Sequence, residues 1–282
     1  MKIYGIIGNP VEHSISPEMH NAAFRELEIN AIYCKFRVLR NELKNAVNGI
    51  KALGINGFNV TIPYKESIIP YLDYLDKNAK MIGAVNTVKL EGNKLRGYNT
   101  DGKGAIIPLK RIMRINGKRA LILGAGGAAR SISFELLHEN IECIYIANRT
   151  MKRAIRLSND LRKYGCNSYV IKLDDNTLRK VIDDVNFVIN CTSVGMYPNI
   201  NESLLSSDML HSKLIVEDIV YNPLKTRLLQ NAEIAGARTI SGIEMLVFQG
   251  ALSFEIWTGI KAPVDIMRIS ALDAIMKFNK RR

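Results

Sequence analysis

The sequence contains little cysteine, histidine and tryptophan: four, four and one residues in a chain of 282. The cysteines are isolated, with no Cys-x-x-Cys pair and no histidine pair close by, so neither a zinc site nor a disulfide framework is predicted. We expect reduced, mostly buried thiols and no bound metal. The four cysteines are Cys34, Cys143, Cys166 and Cys191.

Long apolar runs are also missing. No stretch approaches the roughly 18 uninterrupted apolar residues of a membrane span. The chain reaches Asn9, Pro10 and Glu12 too early for the apolar core of a signal peptide. With 47% hydrophobic and 23% charged residues, the composition is typical of a globular protein. We therefore expect a cytoplasmic protein with no membrane partner, and the length predicts two domains.

The net charge of +12 is spread along the chain. Its one compact basic cluster is the terminal Lys280-Arg281-Arg282, which we interpret as a solvated end. Sequence-specific or RNA-binding folds need a basic stripe and a recognisable module, so a nucleic-acid partner is disfavoured. A modest cationic field still favours anionic small ligands. The oligomeric state is left open, with a homodimer as one outcome.

Short β-rich apolar runs alternate with helix-like stretches, which is typical of βαβ units and a parallel sheet. The predicted fold class is therefore α/β. Residues 84–90 and 94–98 are predicted to form a hairpin around Gly92. Ser16 is predicted to cap a helix over 17–27, and residues 65–74 are predicted to begin another helix. The pattern restarts after Asp101, where we place a domain boundary.

Three glycines, Gly124, Gly126 and Gly127, stand between the apolar strand 119–123 and a predicted helix over 128–140. Glycine allows a tight turn and a close approach of the backbone to a pyrophosphate, whose charge is met by the helix N-terminus. Ala129 takes the place of a third glycine. The segment is interpreted as a dinucleotide fingerprint, and the alternative is a purely structural turn.

The next strand, 143–147, distinguishes the two nicotinamide dinucleotides. A site that prefers NAD usually has a carboxylate at its end for the ribose 2′-hydroxyl, but Asn148, Arg149 and Thr150 follow here. Arg149 offers a planar fork for a 2′-phosphate, and Arg153 adds a second cation. NADP(H) is therefore predicted. The alternative is that Thr150 caps a helix and the arginines are solvated.

Four polar segments mark the rest of the chain. The first follows the opening strand and carries Ser14 and Ser16, whose hydroxyls suit a hydroxylated or carboxylated ligand, although capping of a helix also explains Ser16. The other segments are Asn59-Val-Thr-Ile-Pro-Tyr-Lys65, Gly83-Ala-Val-Asn-Thr87 and Asn99-Thr-Asp-Gly102.

With these segments the sequence resembles the shikimate dehydrogenase family over nearly its whole length. The motifs occur in one order, which is far more specific than any one of them alone. They are the Ser-x-Ser loop at 14–16, the segments at 59–65, 83–87, 99–102, 124–130 and 148–150, and Gln249 within Phe-Gln-Gly-Ala-Leu-Ser-Phe-Glu-Ile-Trp-Thr-Gly.

The resemblance implies NADPH-dependent reduction of 3-dehydroshikimate to shikimate, a step toward aromatic amino acids. It also implies a Rossmann-type doubly wound domain, residues 102–243, inserted in a second α/β domain made of residues 1–101 and 244–282. Lys65 and Asp101 would be the catalytic pair. The other substrate-binding residues would be Ser14, Ser16, Thr61, Asn86, Tyr221 and Gln249. The cofactor-binding residues would be Gly124, Ala125, Gly126, Gly127, Ala128, Asn148, Arg149, Thr150, Arg153, Ile219 and Gly242.

The residue chemistry agrees with that function. Hydride delivery to a ketone builds negative charge on its oxygen, which a cation or acid such as Lys65 stabilises and protonates. A nearby Asp101 would keep Lys65 oriented and charged. Alternatives remain: an exposed Lys65–Asp101 ion pair without function, a broader quinate/shikimate dehydrogenase that also uses NAD, and a nucleotide-binding regulatory module without catalysis.

Overall fold

The computed structural model describes residues 1–280, so the last two residues of the basic cluster lie outside the described residues. The chain forms two compact units. Unit 1 contains residues 1–101 and the segment from Val247 onward, and unit 2 contains Gly102–Leu246.

The elements alternate as the sequence pattern predicts. In chain order they are β1 (Lys2–Gly8), α1 (Ser16–Glu26), β2 (Ala31–Arg37), α2 (Leu43–Ala52), β3 (Gly57–Val60), β4 (Tyr74–Leu75), α3 (Lys77–Ile82), β5 (Thr87–Glu91), β6 (Lys94–Tyr98), α4 (Asp101–Lys110), β7 (Arg119–Leu123), α5 (Gly127–His138), β8 (Cys143–Ala147), α6 (Met151–Lys163), β9 (Ser168–Ile171), α7 (Asp175–Ile182), β10 (Phe187–Asn190), β11 (Ile215–Asp218), α8 (Arg227–Ile234), β12 (Arg238–Ile240), α9 (Gly242–Thr258) and α10 (Val264–Lys280).

Unit 1 is built on a mixed six-stranded sheet with the order β2-β1-β3-β5-β6-β4. β1 is parallel to β2 and β3, whereas β5 is antiparallel to β3 and β6. The predicted hairpin is β5–β6, and Gly92 in its turn has a φ of +60°. Apolar side chains from β1, β3, α2 and β5 form a core that includes Ile7, Val47, Phe58 and Val88.

Unit 2 is built on a fully parallel sheet with the order β12-β11-β10-β7-β8-β9. The order reverses at β7, which lies between β10 and β8. This doubly wound topology is the Rossmann arrangement, in which ligands bind at the carboxyl ends of the strands beside the reversal. The carboxyl end of β7 leads directly into Gly124. The predicted α/β fold with a Rossmann-type domain is confirmed.

Two local predictions are wrong. Ser16 does not cap α1: the N-cap is Ile15, which makes no side-chain capping bond, and Ser16 is the first helical residue. Residues 65–74 do not form an α-helix but a series of turns with a short 3₁₀ segment, Ile69–Tyr71. Pro70 lies within that segment, and proline lacks the N–H that a continuing helix requires.

The sequence pattern also missed three short helices, α3, α7 and α8. The resemblance implied a second domain boundary at 243/244, which stays a prediction. The boundary between the units falls within α9, after Leu246. The start of α9 belongs to unit 2 because Gly242 lies against the backbone of Ile219 and Val220. A Cβ at position 242 would come within 2.6 Å of the Ile219 carbonyl.

Two adjacent carboxyl groups, Glu217 and Asp218, are buried at the end of β11. Asp218 accepts hydrogen bonds from Asn190 Nδ2 (2.9 Å), from the backbone N–H of Val220 (3.0 Å) and from Thr226 Oγ1 (2.6 Å). Burial nevertheless raises the pKa of Asp218 to about 6. Among the described residues, neither oxygen of Glu217 has a hydrogen-bond partner. Burial, with the Asp218 charge adding, raises the pKa of Glu217 well above its ordinary value.

Glu217 therefore makes stability depend on pH, and Glu217→Gln should remove that dependence. The folded chain keeps the Glu217 proton at pH values where the unfolded chain has lost it, so the contribution of Glu217 to stability falls as pH rises above about 4.5. The glutamine side chain of the variant does not ionise, so it causes no such fall in stability. We expect the stability advantage of Glu217→Gln to grow by about 1.4 kcal/mol per pH unit until the folded group ionises.

Urea unfolding of both proteins at pH 5 and pH 7 measures this difference. Glu202→Gln, at an exposed glutamate of the same unit, is the matched control and should show no pH-dependent gain. An advantage of Glu217→Gln that is equal at both pH values would show that Glu217 is charged in the folded protein.

Candidate active site

Lys65 follows β3 in a segment of turns that is fixed at two points. The Tyr64 hydroxyl, buried beneath the segment, donates to the backbone oxygen of Val38 (2.5 Å). The carbonyl of Lys65 accepts from the N–H of Val85 (2.7 Å). The backbone at Lys65 is therefore held between two other segments of unit 1, although it belongs to no regular element.

Asp101 is the first residue of α4 and is also fixed by its backbone. Its N–H donates to Asn99 Oδ1 (3.1 Å), and Asn99 Nδ2 donates to the Ala84 carbonyl (3.0 Å). Lys65 Nζ lies 2.6 Å from Asp101 Oδ2, and the two side chains are 19% and 5% exposed. The alternative of an exposed surface ion pair is thereby excluded.

Asn86 lies directly before β5 and contacts this ion pair. Its Oδ1 accepts from the backbone N–H of Thr100 (2.8 Å), which fixes the orientation of the carboxamide. Its Nδ2 then faces Asp101 Oδ1 (2.8 Å) and Gln249 Oε1 (3.3 Å). Four predicted site residues, Lys65, Asn86, Asp101 and Gln249, are thus brought together within unit 1.

A cluster of buried hydroxyls lies behind Asn86, and the sequence reasoning did not select it. Ser253 Oγ is 2.7 Å from Thr87 Oγ1 and 3.2 Å from Thr100 Oγ1. Asn59 Nδ2 donates to Thr87 Oγ1 and to Ser253 Oγ, both at 3.1 Å. Ser253 lies one helical turn after Gln249 on α9, and this i, i+4 spacing was the available signal.

The Ser-x-Ser loop connects β1 to α1. Ser14 Oγ donates to Ser16 Oγ (3.1 Å), and Ser14 Oγ also accepts from the Ser16 N–H (3.3 Å). Thr61 lies at the end of β3, where its methyl group packs close to Gly8.

The chemistry of this cluster in unit 1 follows from its geometry. A buried carboxylate holds an ammonium group that retains some exposure, next to amide and hydroxyl groups. Such a site hydrogen-bonds a hydroxylated ligand and stabilises negative charge that develops on an oxygen, since both effects strengthen where water is excluded.

In unit 2 the glycine turn has the shape that the fingerprint requires. Gly124 has a φ of +110°, and a Cβ there would lie 3.1 Å from the Cys191 carbonyl. Gly126 is the N-cap of α5, and the helix makes its first backbone bond from Arg130 to the Gly126 carbonyl. The N–H groups of the first turn, which include that of Ala128, therefore have no acceptor within the helix and can bind a pyrophosphate.

Arg149 and Arg153 are exposed beside the end of β8, and within residues 1–280 neither one forms an ion pair with a carboxylate. Thr150 is the N-cap of α6, yet its side chain makes no capping bond. Asn148 Nδ2 donates to the Thr150 carbonyl (2.9 Å) and shapes the turn. No described carboxylate neutralises these cations, so the position suits a phosphate group.

The remaining predicted residues also lie in unit 2. Gly242, at the start of α9, packs against Ile219, so these two proposed neighbours of the nicotinamide are in contact. Tyr221 lies in the loop after β11. Its role at the substrate stays a prediction.

Two further observations concern ions and membranes. Within residues 1–280, no group of three or more histidine, cysteine, aspartate or glutamate side chains is arranged to hold a metal. None of the helices in that range combines the length and the apolar character that a membrane crossing needs.

Comparison with known proteins assigns the chain to a family. Residues 6–88 match the shikimate dehydrogenase substrate binding domain. Residues 108–220 match shikimate / quinate 5-dehydrogenase, and residues 242–269 match the shikimate 5′-dehydrogenase C-terminal domain. A shikimate dehydrogenase (NADP⁺) of Methanopyrus kandleri is 49% identical over 96% of this chain and 95% of its own length.

The chain belongs to the shikimate dehydrogenase family. A crystal structure of a shikimate dehydrogenase in complex with NADP⁺ matches with a TM-score of 0.93 at 46% identity, covering 98% of this chain and 96% of the other. The enzyme from Listeria monocytogenes, in complex with shikimate and NAD, matches with a TM-score of 0.90 at 40% identity, covering 95% and 96%. The resemblance noted from the motifs is confirmed, whereas the roles of individual site residues stay predictions.

Arg149→Asp should reduce the preference of this shikimate dehydrogenase for NADPH over NADH. A guanidinium that faces a 2′-phosphate makes hydrogen bonds worth about 1.5–3 kcal/mol each, and a carboxylate replaces that attraction with repulsion. We expect the ratio of kcat/KM for NADPH to that for NADH to fall at least about tenfold. Arg153 retains part of the phosphate affinity, so the preference is reduced rather than reversed.

Arg227→Asp, at an exposed arginine that begins α8 in the same unit, is the matched control and should leave the ratio unchanged. Both variants are assayed at low and moderate salt, because exposed charges are screened. An unchanged ratio for Arg149→Asp at both salt concentrations would mean that Arg149 does not contact the cofactor.

Proposed function

We propose that this chain catalyses the NADPH-dependent, reversible reduction of 3-dehydroshikimate to shikimate, a step toward aromatic amino acids. The observation that carries the proposal is the buried Lys65–Asp101 ion pair, held by Asn86 beside hydroxyl and amide groups. Relatives and structural neighbours that cover nearly the whole chain are shikimate dehydrogenases, and one of those structures has NADP⁺ bound.

The protein side chains stabilise the charge that develops in the reaction and supply the proton. As the C=O group of the substrate is reduced, negative charge develops on its oxygen, and the Lys65 ammonium stabilises that charge. The Lys65–Asp101 pair supplies the proton that converts the oxygen into a hydroxyl. Asp101 holds Lys65 in place and accepts a hydrogen bond from the substrate hydroxyl. Ser14, Ser16, Thr61, Asn86 and Gln249 complete the substrate site within unit 1.

Unit 2 fits an NADP(H) molecule, which when bound supplies or accepts the hydride. The turn at Gly124 and the first turn of α5 would hold the pyrophosphate. Asn148, Arg149, Thr150 and Arg153 would hold the 2′-phosphate side. Ile219 and Gly242 would line the nicotinamide. In this proposal unit 1 is the substrate-binding and catalytic domain and unit 2 is the cofactor-binding domain.

Two alternatives are weighed against this proposal. A broader quinate/shikimate dehydrogenase that also uses NAD shares the same Lys65–Asp101 pair, but the absence of a carboxylate at 148–150 favours NADP. A nucleotide-binding regulatory module would have no need of a buried ammonium and carboxylate beside a set of hydroxyls. A cytoplasmic location and the homodimer stay predictions from the sequence.

The decisive assay follows the absorbance of NADPH and NADH with shikimate, quinate and their 3-dehydro forms. We expect the highest kcat/KM for the pair of NADP and shikimate. Comparable values with quinate and NAD would favour the broader enzyme. Binding of NADPH without turnover of any of these substrates would favour the regulatory module.

Lys65→Ala should largely abolish turnover while weakening shikimate binding much less. An interaction made mainly with the developing oxyanion acts on the barrier rather than on ground-state binding. We expect kcat to fall by about 100-fold or more. Shikimate affinity is measured separately by calorimetry. Lys80→Ala, at an exposed lysine of the same unit, is the control, and a kcat of Lys65→Ala near that of the control would exclude the assigned role.

Asp101→Asn should damage both catalysis and binding. The amide keeps the size of the side chain but removes the charge that holds Lys65, and it weakens the contact with a substrate hydroxyl. We expect kcat to fall by at least about tenfold and KM for shikimate to rise. Thermal melting checks that the variant folds. A change confined to KM would make Asp101 a binding residue without a catalytic role.

A further inference from the structure

Tyr33 occupies a connecting position within unit 1. Its ring is 2% exposed and stacks on His20, with the ring centroids 4.5 Å apart and an interplanar angle of 9°. Its hydroxyl donates to Asn59 Oδ1 (2.7 Å). The buried phenol thus contacts the polar cluster behind Asn86.

The orientation of Asn59 follows from a backbone contact. Its side-chain amide faces the backbone carbonyl of Asn86 (3.1 Å), which can only accept a hydrogen bond. The facing atom is therefore Nδ2, so Oδ1 points to Tyr33 and the phenol must be the donor. Without that donor, Oδ1 of Asn59 would be a buried acceptor with no partner, which is unfavourable and loosens the hold on the carboxamide.

A series of hydrogen bonds connects Asn59 to the ion pair. Its Nδ2 donates to Thr87 Oγ1, and Thr87 Oγ1 in turn donates to Asn86 Oδ1 (3.0 Å). Asn86 Nδ2 donates to Asp101 Oδ1, and Asp101 Oδ2 holds Lys65. All the members of this series before Lys65 are buried. In a buried network each carboxamide and hydroxyl has few alternative partners. The loss of one hydrogen bond therefore alters the orientation of the groups that follow it.

We propose that Tyr33 is a positioning residue, which orients the Lys65–Asp101 pair through Asn59 and Asn86. The proposal rests on the proposed function of Lys65 and Asp101 in shikimate turnover. His20 stacks on the Tyr33 ring, and neither ring nitrogen of His20 has a hydrogen-bond partner among the described residues. The inference extends the active site to a residue about 30 positions before Lys65.

Tyr33→Phe tests the proposal because it removes only the hydroxyl. We expect kcat to fall about three- to tenfold, because the Lys65–Asp101 pair is held less firmly, with KM for NADP⁺ unchanged. Tyr4→Phe is the matched control. Tyr4 is opposite Tyr33 in the β1–β2 pairing and belongs to the same aromatic cluster, but its hydroxyl makes none of these bonds.

Ser253→Ala tests the same series at a second point. Ser253 contacts Asn59 and Thr87, so kcat should fall as in Tyr33→Phe, with KM for NADP⁺ unchanged. Should Tyr33→Phe fail to fold, as judged by thermal melting, Ser253→Ala decides alone. A Tyr33→Phe enzyme with the kinetics of Tyr4→Phe, or a Ser253→Ala enzyme with the wild-type kcat, would overturn the proposal.

A second measurement is independent of the reaction. In the ligand-free protein, the side-chain amide resonances of Asn86 in ¹H–¹⁵N NMR spectra should shift in Tyr33→Phe and not in Tyr4→Phe. If the wild type lacks shikimate turnover but the shift is present, the proposed function fails while the positioning network stands. If turnover is present and the Asn86 resonances do not move, the positioning role fails while the function stands.

Discussion

Unit 1 depends on one constraint: a buried carboxylate must have partners. Asp101 is 5% exposed at its side chain, and an unpaired charge at such a position is strongly destabilising. Lys65 supplies the opposite charge and Asn86 supplies an N–H donor. Because Asn86 is buried as well, its own oxygen needs donors, which Thr87 and Thr100 provide. The polar cluster behind the ion pair is the result of satisfying each group in turn.

Other buried polar groups show what happens when that requirement is not met. His20 has no partner for either ring nitrogen among the described residues, and burial lowers its pKa to about 3. Glu217 has no partner for either oxygen, and burial raises its pKa. In both cases burial favours the neutral form, which is the less costly state for an isolated buried group. At Lys65–Asp101, by contrast, each charged group has a partner of opposite charge.

The sequence predicted the order of the elements well because apolar periodicity follows directly from which face of an element is buried. The strands at 119–123 and 143–147 agree to the residue. The failures occurred where neighbouring segments rather than periodicity decide the conformation. Residues 65–74 have helical spacing, but Pro70 and the tertiary bonds of Tyr64 and Lys65 hold that segment in turns.

For the site, the sequence by itself determined the family, the α/β fold and the groups that carry charge, because motifs such as Asn-Thr-Asp-Gly keep their residue types in a fixed order. It gave no indication of Tyr33, and the spacing from Gln249 was its one signal for Ser253. Only the tertiary structure decided that Tyr33 meets Asn59, and that Lys65 and Asp101 form a buried pair rather than a surface one. Burial and partner choice depend on segments far apart in the chain, and a hydrogen bond requires a distance that residue order does not contain.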